Sequence, residues 1–73
     1  MVTIDARGKS CPMPIVLMAK AIRNVEPGDG IVVQADDRAF PKDVEAWCKK
    51  TGNRLVSLAE KVGFFEAEIR RVG

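Results

Sequence analysis

Apolar and polar residues alternate through the first segment, "VTIDA". Val2, Ile4 and Ala6 fall on one side, the period of two that marks a strand with one buried face. From Pro14 the repeat lengthens. Ile15, Met18, Ala19, Ile22 and Val25 recur at steps of three and four, with Lys20, Arg23 and Asn24 on another side, so a first helix is predicted there. "EPGDG" then supplies Pro27, Gly28 and Gly30 as turn punctuation, and the largely apolar "IVVQA" reads as a strand buried inside a sheet. Phe40, Val44, Trp47, Cys48 and Thr51 mark one face of a second helix. It should start near Pro41, which only the first turn tolerates, with Asp36 or Asp37 as capping candidates and Gly52 as its stop. "NRLVSLAE" and "FFEAEIRRV" flank a tight "KVG" turn as a closing hairpin, with Phe65, Ala67 and Ile69 on one side of the last strand.

The order is therefore β-α-β-α-β-β. Right-handed crossovers place both helices on one face of a four-stranded mixed sheet, giving an α+β two-layer sandwich. The other face stays open, in keeping with Thr3, Ser57, Glu66 and Glu68 pointing outward. The 73 residues suffice for one core, so residues 1–73 are read as a single domain without repeats or linkers.

Composition narrows the function more than the fold. Twelve Lys and Arg against ten Asp and Glu leave a net charge of +2, interspersed along the chain, which is no electrostatic footprint for nucleic acid. No apolar run approaches the roughly 20 residues of a membrane span, and "MVTIDARGKS" lacks a secretory core, so a cytoplasmic protein is expected. Of the two cysteines, Cys11 precedes the first helix and Cys48 lies late in the second. With the helices parallel, roughly 10 Å of axial rise separates those levels, whereas a disulfide needs Cα atoms within about 7 Å. Cys48 shares a face with Val44 and Trp47 and is read as core; Cys11, after Gly8, Lys9 and Ser10, is read as exposed.

An exposed thiol followed by two prolines is the one chemical feature of the chain. Cys11 and Met13 each precede a proline and should be held extended, while Pro12 and Pro14 order the segment before the helix begins. The chain has no histidine, which removes a Cys–His dyad. Thiolate formation would then fall to the helix N-terminus, with the Met13 N–H nearby, and to the cations Arg7, Lys9 and Lys20. The activation expected is modest, suited to a sulfur that accepts a group and later surrenders it. "CPMP" lacks the second thiol of Cys-x-x-Cys, which disfavours a dithiol oxidoreductase.

Three segments in order carry a resemblance across essentially the whole chain: "IDARGKSCPMPIVLMAKAI" with its Cys-Pro-x-Pro motif, "PGDGIVVQADD", and "DVEAWCKKTGN". The chain resembles the TusA-like (SirA-like) sulfur carriers. That resemblance implies the same sandwich and a motif cysteine that takes sulfane sulfur as a persulfide from a donor protein, a cysteine desulfurase or a rhodanese, and relays it to an acceptor protein. The sulfur would end in tRNA thiolation, cofactor sulfuration or sulfur oxidation. Carried over, Cys11 is the persulfide site, Pro12 and Pro14 are its scaffold, and Lys20 matches a commonly basic position. Gly52-Asn53 stands where many relatives have Gly-His, and Arg38 follows Asp37 where proline is common. Both departures are expected to lie away from the thiol and to bear on partner choice.

Arg7, Lys9, Lys20 and Arg38 could form a basic rim that steers acidic patches of partner proteins. A monomer with no cofactor is expected. Two separated cysteines without histidine make a poor metal set, so no metal site is expected either. Two other readings compete: an RNA-binding module on the open sheet face, and a thiol-based redox sensor or regulatory scaffold. Against the first, tyrosine is absent, Trp47 and Phe65 fall on predicted core faces, and Glu66 and Glu68 face outward.

Overall fold

A computed structural model describes all residues, Met1–Gly73. The apolar periods become six elements in the predicted order: β1 (Val2–Asp5), α1 (Met13–Ile22), β2 (Gly30–Ala35), α2 (Phe40–Thr51), β3 (Arg54–Lys61) and β4 (Phe64–Arg70). The strands form one sheet in the order β1-β2-β4-β3. β1 runs parallel to β2, while β4 is antiparallel to both β2 and β3, so the sheet is mixed. β2 and β4 are central, which explains why "IVVQA" is nearly continuous in apolar character.

One face of the sheet contributes Ala6, Ile31, Val33, Ala35, Ala67 and Ile69 to the core, and the helices add Met18, Ile22, Phe40, Val44 and Cys48. All these side chains are buried and form one cluster. The opposite face carries Thr3, Ser57, Glu66 and Glu68, as the alternation predicts. Val2 sits on the expected inner side yet is exposed, because it lies at the end of an edge strand. No helix is long and apolar enough to cross a membrane.

Helix α2 begins as Pro41 requires, with the proline in the first turn, and stops at Gly52, whose φ of 79° is the left-handed conformation and whose N–H donates to the Cys48 carbonyl at 2.9 Å. Its N-terminus differs from expectation. Ala39 occupies the cap position with no side-chain cap bond, since Asp36 and Asp37 turn instead toward the segment before α1. Helix α1 ends at Ile22, short of Val25, which is buried in the following turn. The Arg71 guanidinium closes that end, donating to the carbonyls of Ile22, Arg23 and Val25, the last at 2.7 Å. A cation at a helix C-terminus also complements the macrodipole.

Gly30 opens β2 beside β4, and a Cβ there would meet the Ile69 carbonyl oxygen at 2.5 Å. Only glycine permits this approach of the two strands. In β3 the register shifts between Leu55 and Ser57, leaving Val56 as an extra, exposed residue.

Candidate functional site

Two loops meet ahead of α1. The chain leaving β1 is held to the end of β2 by the Ala6 N–H donating to the Gln34 carbonyl at 2.7 Å. The Gly8 N–H donates to both Asp36 carboxylate oxygens, at 3.0 and 3.1 Å. The Cys11 N–H donates to Asp37 Oδ2 at 3.2 Å. The two aspartates after β2 thus fix the thiol-bearing segment from across the fold.

Cys11 is exposed and in no disulfide. Pro12 is the cap residue of α1, and the Cys11–Pro12 peptide bond is cis. Pro14 is fully buried and roots this end of the helix in the core. Met13 was expected to be extended ahead of Pro14 but is the first helical residue, with its side chain exposed. Its N–H donates to the Ser10 carbonyl at 2.9 Å, so it is not free to face the sulfur. Pro14 has no N–H, and the Val16 N–H is taken by the Pro12 carbonyl. The helix end therefore offers the thiol little of what the sequence suggested.

The charge beside the sulfur also differs from expectation. The Cys11 thiol donates to Asp43 Oδ2, with Sγ and oxygen 2.9 Å apart. This hydrogen bond, partial desolvation and the negative charges of Asp43 and Asp37 together push the thiol above its ordinary pKa. The sequence had placed cations there. Arg7 instead pairs with Asp5 at 2.9 Å, raising its own pKa and lowering that of the carboxyl, and lies 5.4 Å over the Phe64 ring. That contact belongs to the end of β4, not to the thiol. Lys9, Lys20 and Arg38 are exposed and enter no ion pair. As influences on the sulfur, the three cations Arg7, Lys9 and Lys20 give way to the carboxylates of Asp43 and Asp37.

Beside the thiol a groove of about 300 Å³ opens between the start of α1 and one stripe of α2. Cys11, Pro12 and Ile15 form one wall; Asp43, Ala46, Trp47 and Lys50 form the other. Trp47, read from sequence as core, is half-buried and lines this groove. Sequence reasoning missed Asp43, Trp47 and Lys50 as neighbours of the thiol. Their spacing of i, i+4 and i+7 was the available signal, since it places all three on one stripe of α2. Cys48, on the buried side of the same helix, is packed in the core, and burial raises its pKa.

One sulfur and two carboxylates converge here, with donor atoms of Cys11, Asp37 and Asp43 all within 4.8 Å of one another. The set has no fourth protein donor such as a structural zinc site uses. Chemically the site is one accessible nucleophile, a nearby carboxylate that holds its proton, and a shallow apolar floor.

Comparison with known proteins agrees with this architecture. The family model described as "Sulfurtransferase TusA" matches residues 2–71. A protein of Archaeoglobus fulgidus named "Putative sulfur carrier protein" is 33% identical over 72 residues, covering 99% of each chain. One of the same name from Neisseria meningitidis serogroup A is 40% identical over 63 residues, covering 86% of this chain and 85% of the relative. The crystal structure of a SirA-like protein from Desulfitobacterium hafniense superposes over 100% of both chains with a TM-score of 0.87 at 28% identity. A match across nearly the whole chain, in sequence and in fold, means that this protein belongs to the TusA family.

Proposed function

We propose that the chain is a sulfur carrier: Cys11 accepts sulfane sulfur as a persulfide from a donor protein of the cysteine desulfurase or rhodanese kind and relays it to an acceptor protein. The observation that carries this reading is an exposed, unpaired thiol held on a segment anchored by Pro14, Asp36 and Asp37, while the only other thiol is buried. The names of the relatives support it. Pro12, Met13 and Pro14 serve as scaffold, and Lys9, Lys20 and Arg38 are available for docking. The 73 residues act as one cytoplasmic, monomeric domain, and the sulfur goes to tRNA thiolation, cofactor sulfuration or sulfur oxidation.

Sulfur moves by thiol exchange. Cys11 loses its proton, and the thiolate attacks the outer sulfur of the donor's persulfide. The donor S–S bond breaks, the donor cysteine leaves as thiolate with the electron pair and takes up a proton, and Cys11 retains the outer sulfur as S–SH. No net oxidation occurs. The second step repeats this with Cys11 as the leaving group. Asp43 keeps the resting thiol protonated, so the free carrier is a weak nucleophile until its surroundings change.

Intact mass after incubation with a desulfurase and cysteine, or a rhodanese and thiosulfate, tests the reading. A gain of one sulfur atom, reversed by reductant and lost in Cys11→Ser, is the expected result. An unchanged mass with both kinds of donor would contradict it.

A further inference from the structure

The groove beside Cys11 has a polarity that the relay alone does not account for. Its floor is apolar, built from Pro12, Ile15, Ala46 and Trp47. Asp43 stands at the thiol end, with Asp37 close by, and Lys50 stands at the other. Asp43 and Lys50 are seven residues apart on α2, a separation of about 10 Å along the helix axis. About three residues of extended chain cover that distance.

We propose that this groove is the docking site for an extended segment of a partner protein whose reactive cysteine is flanked by an arginine or lysine, followed about three positions from that base by an aspartate or glutamate, with an apolar side chain between. The base meets Asp43 and Asp37, the acid meets Lys50, and the apolar residue covers Trp47. Charge complementarity fixes which end of the segment lies over the sulfur. It also gives the resting state of the thiol a purpose. A cation brought beside Asp43 offsets the negative charge that holds the Cys11 proton, so the thiolate forms when a segment of the right polarity is seated. This inference rests on the carrier reading and fails separately from it.

The test uses two short peptides of one composition, Arg-Cys-Leu-Glu and Glu-Cys-Leu-Arg, each also made in the reversed chain direction, with the cysteine activated as a mixed disulfide with thionitrobenzoate. The Cys11 thiolate attacks the peptide sulfur, the bond to thionitrobenzoate breaks, and the released thiolate is read by colour; Cys11→Ser supplies the blank. Rates are divided by those of 2-mercaptoethanol on the same peptides, which removes differences in peptide reactivity. At low ionic strength the peptide with arginine beside cysteine should react about tenfold faster than its charge-reversed partner in at least one chain direction, the size expected for two exposed contacts switching from attraction to repulsion. The preference should shrink in salt. It should invert in the double variant Asp43→Lys/Lys50→Glu, and fall in Lys50→Glu alone, a change at an exposed position outside the core. Normalised rates within twofold of each other in both directions would overturn the proposal, as would a preference unchanged by Lys50→Glu. If the preference holds while no donor adds sulfur to Cys11, the groove stands and the carrier reading falls. If sulfur is added without the preference, the reverse is true.

Discussion

Cys11 and Asp43 set the chemistry at the scale of single residues. The thiol donates a hydrogen bond to a carboxylate, and that neighbour disfavours the thiolate. Replacing Asp43 with Asn keeps the side chain's size and removes the charge, so the thiolate becomes easier to form. The Cys11 pKa should fall, and alkylation by iodoacetamide near neutral pH should become severalfold faster. The check is a pH–rate profile, with a midpoint above that of a free cysteine in the parent and a lower one in Asp43→Asn. The thiol and its prolines were legible in the sequence because "CPMP" is local. Asp43 was not. It is 32 residues away and reaches Cys11 only because α2 packs beside the start of α1. In the sequence it is an ordinary acid in a helix's first turn. Trp47 was misplaced for a similar reason: helical spacing gives its face, but where α1 stops covering that face is a tertiary property.

Among the elements, the strands and helices follow from periodicity, and the departures lie where two of them compete for one group. Asp36 and Asp37 could cap α2 by their position, yet each takes an N–H of the segment before α1 instead. Those N–H groups would otherwise lack a protein partner, while the first turn of α2 already has Pro41 in place of one donor. Asp37→Ala should therefore loosen the Cys11 segment more than α2, read as faster amide exchange at Cys11 with the amides of α2 unchanged. Gly30 shows an element junction that local pattern does not reveal, since the crowding comes from the Ile69 carbonyl across the ladder. Gly30→Ala should cost about 1–3 kcal/mol, as overpacking of a tight contact does. For a chain of this size each such kcal/mol lowers Tm by about 4–8 °C, so the loss is measurable by thermal denaturation.

Taken as a whole, the molecule separates its two thiols: one exposed at the surface, one buried in the core. Burial raises the pKa of Cys48, so the folded state favours its neutral form. That contribution is complete below the ordinary thiol pKa and is lost as pH rises through the raised folded value. Stability should therefore fall in the alkaline range more steeply in the parent than in Cys48→Ala, compared as Tm against pH. The two-layer fold and its element order were readable from apolar spacing alone, because a chain this short has one core to build and few ways to bury it. What spacing cannot convey is the electrostatic character of the site, which arises from β2, α1 and α2 meeting. The central claim is that sulfur travels on Cys11 and nowhere else on the chain, and the most direct measurement is where it lands. After loading by a desulfurase and capping with iodoacetamide, trypsin releases Cys11 within Ser10–Lys20 and Cys48 within Asp43–Lys49. The account predicts the extra sulfur on the first peptide only; sulfur on the second, or on neither, would contradict it.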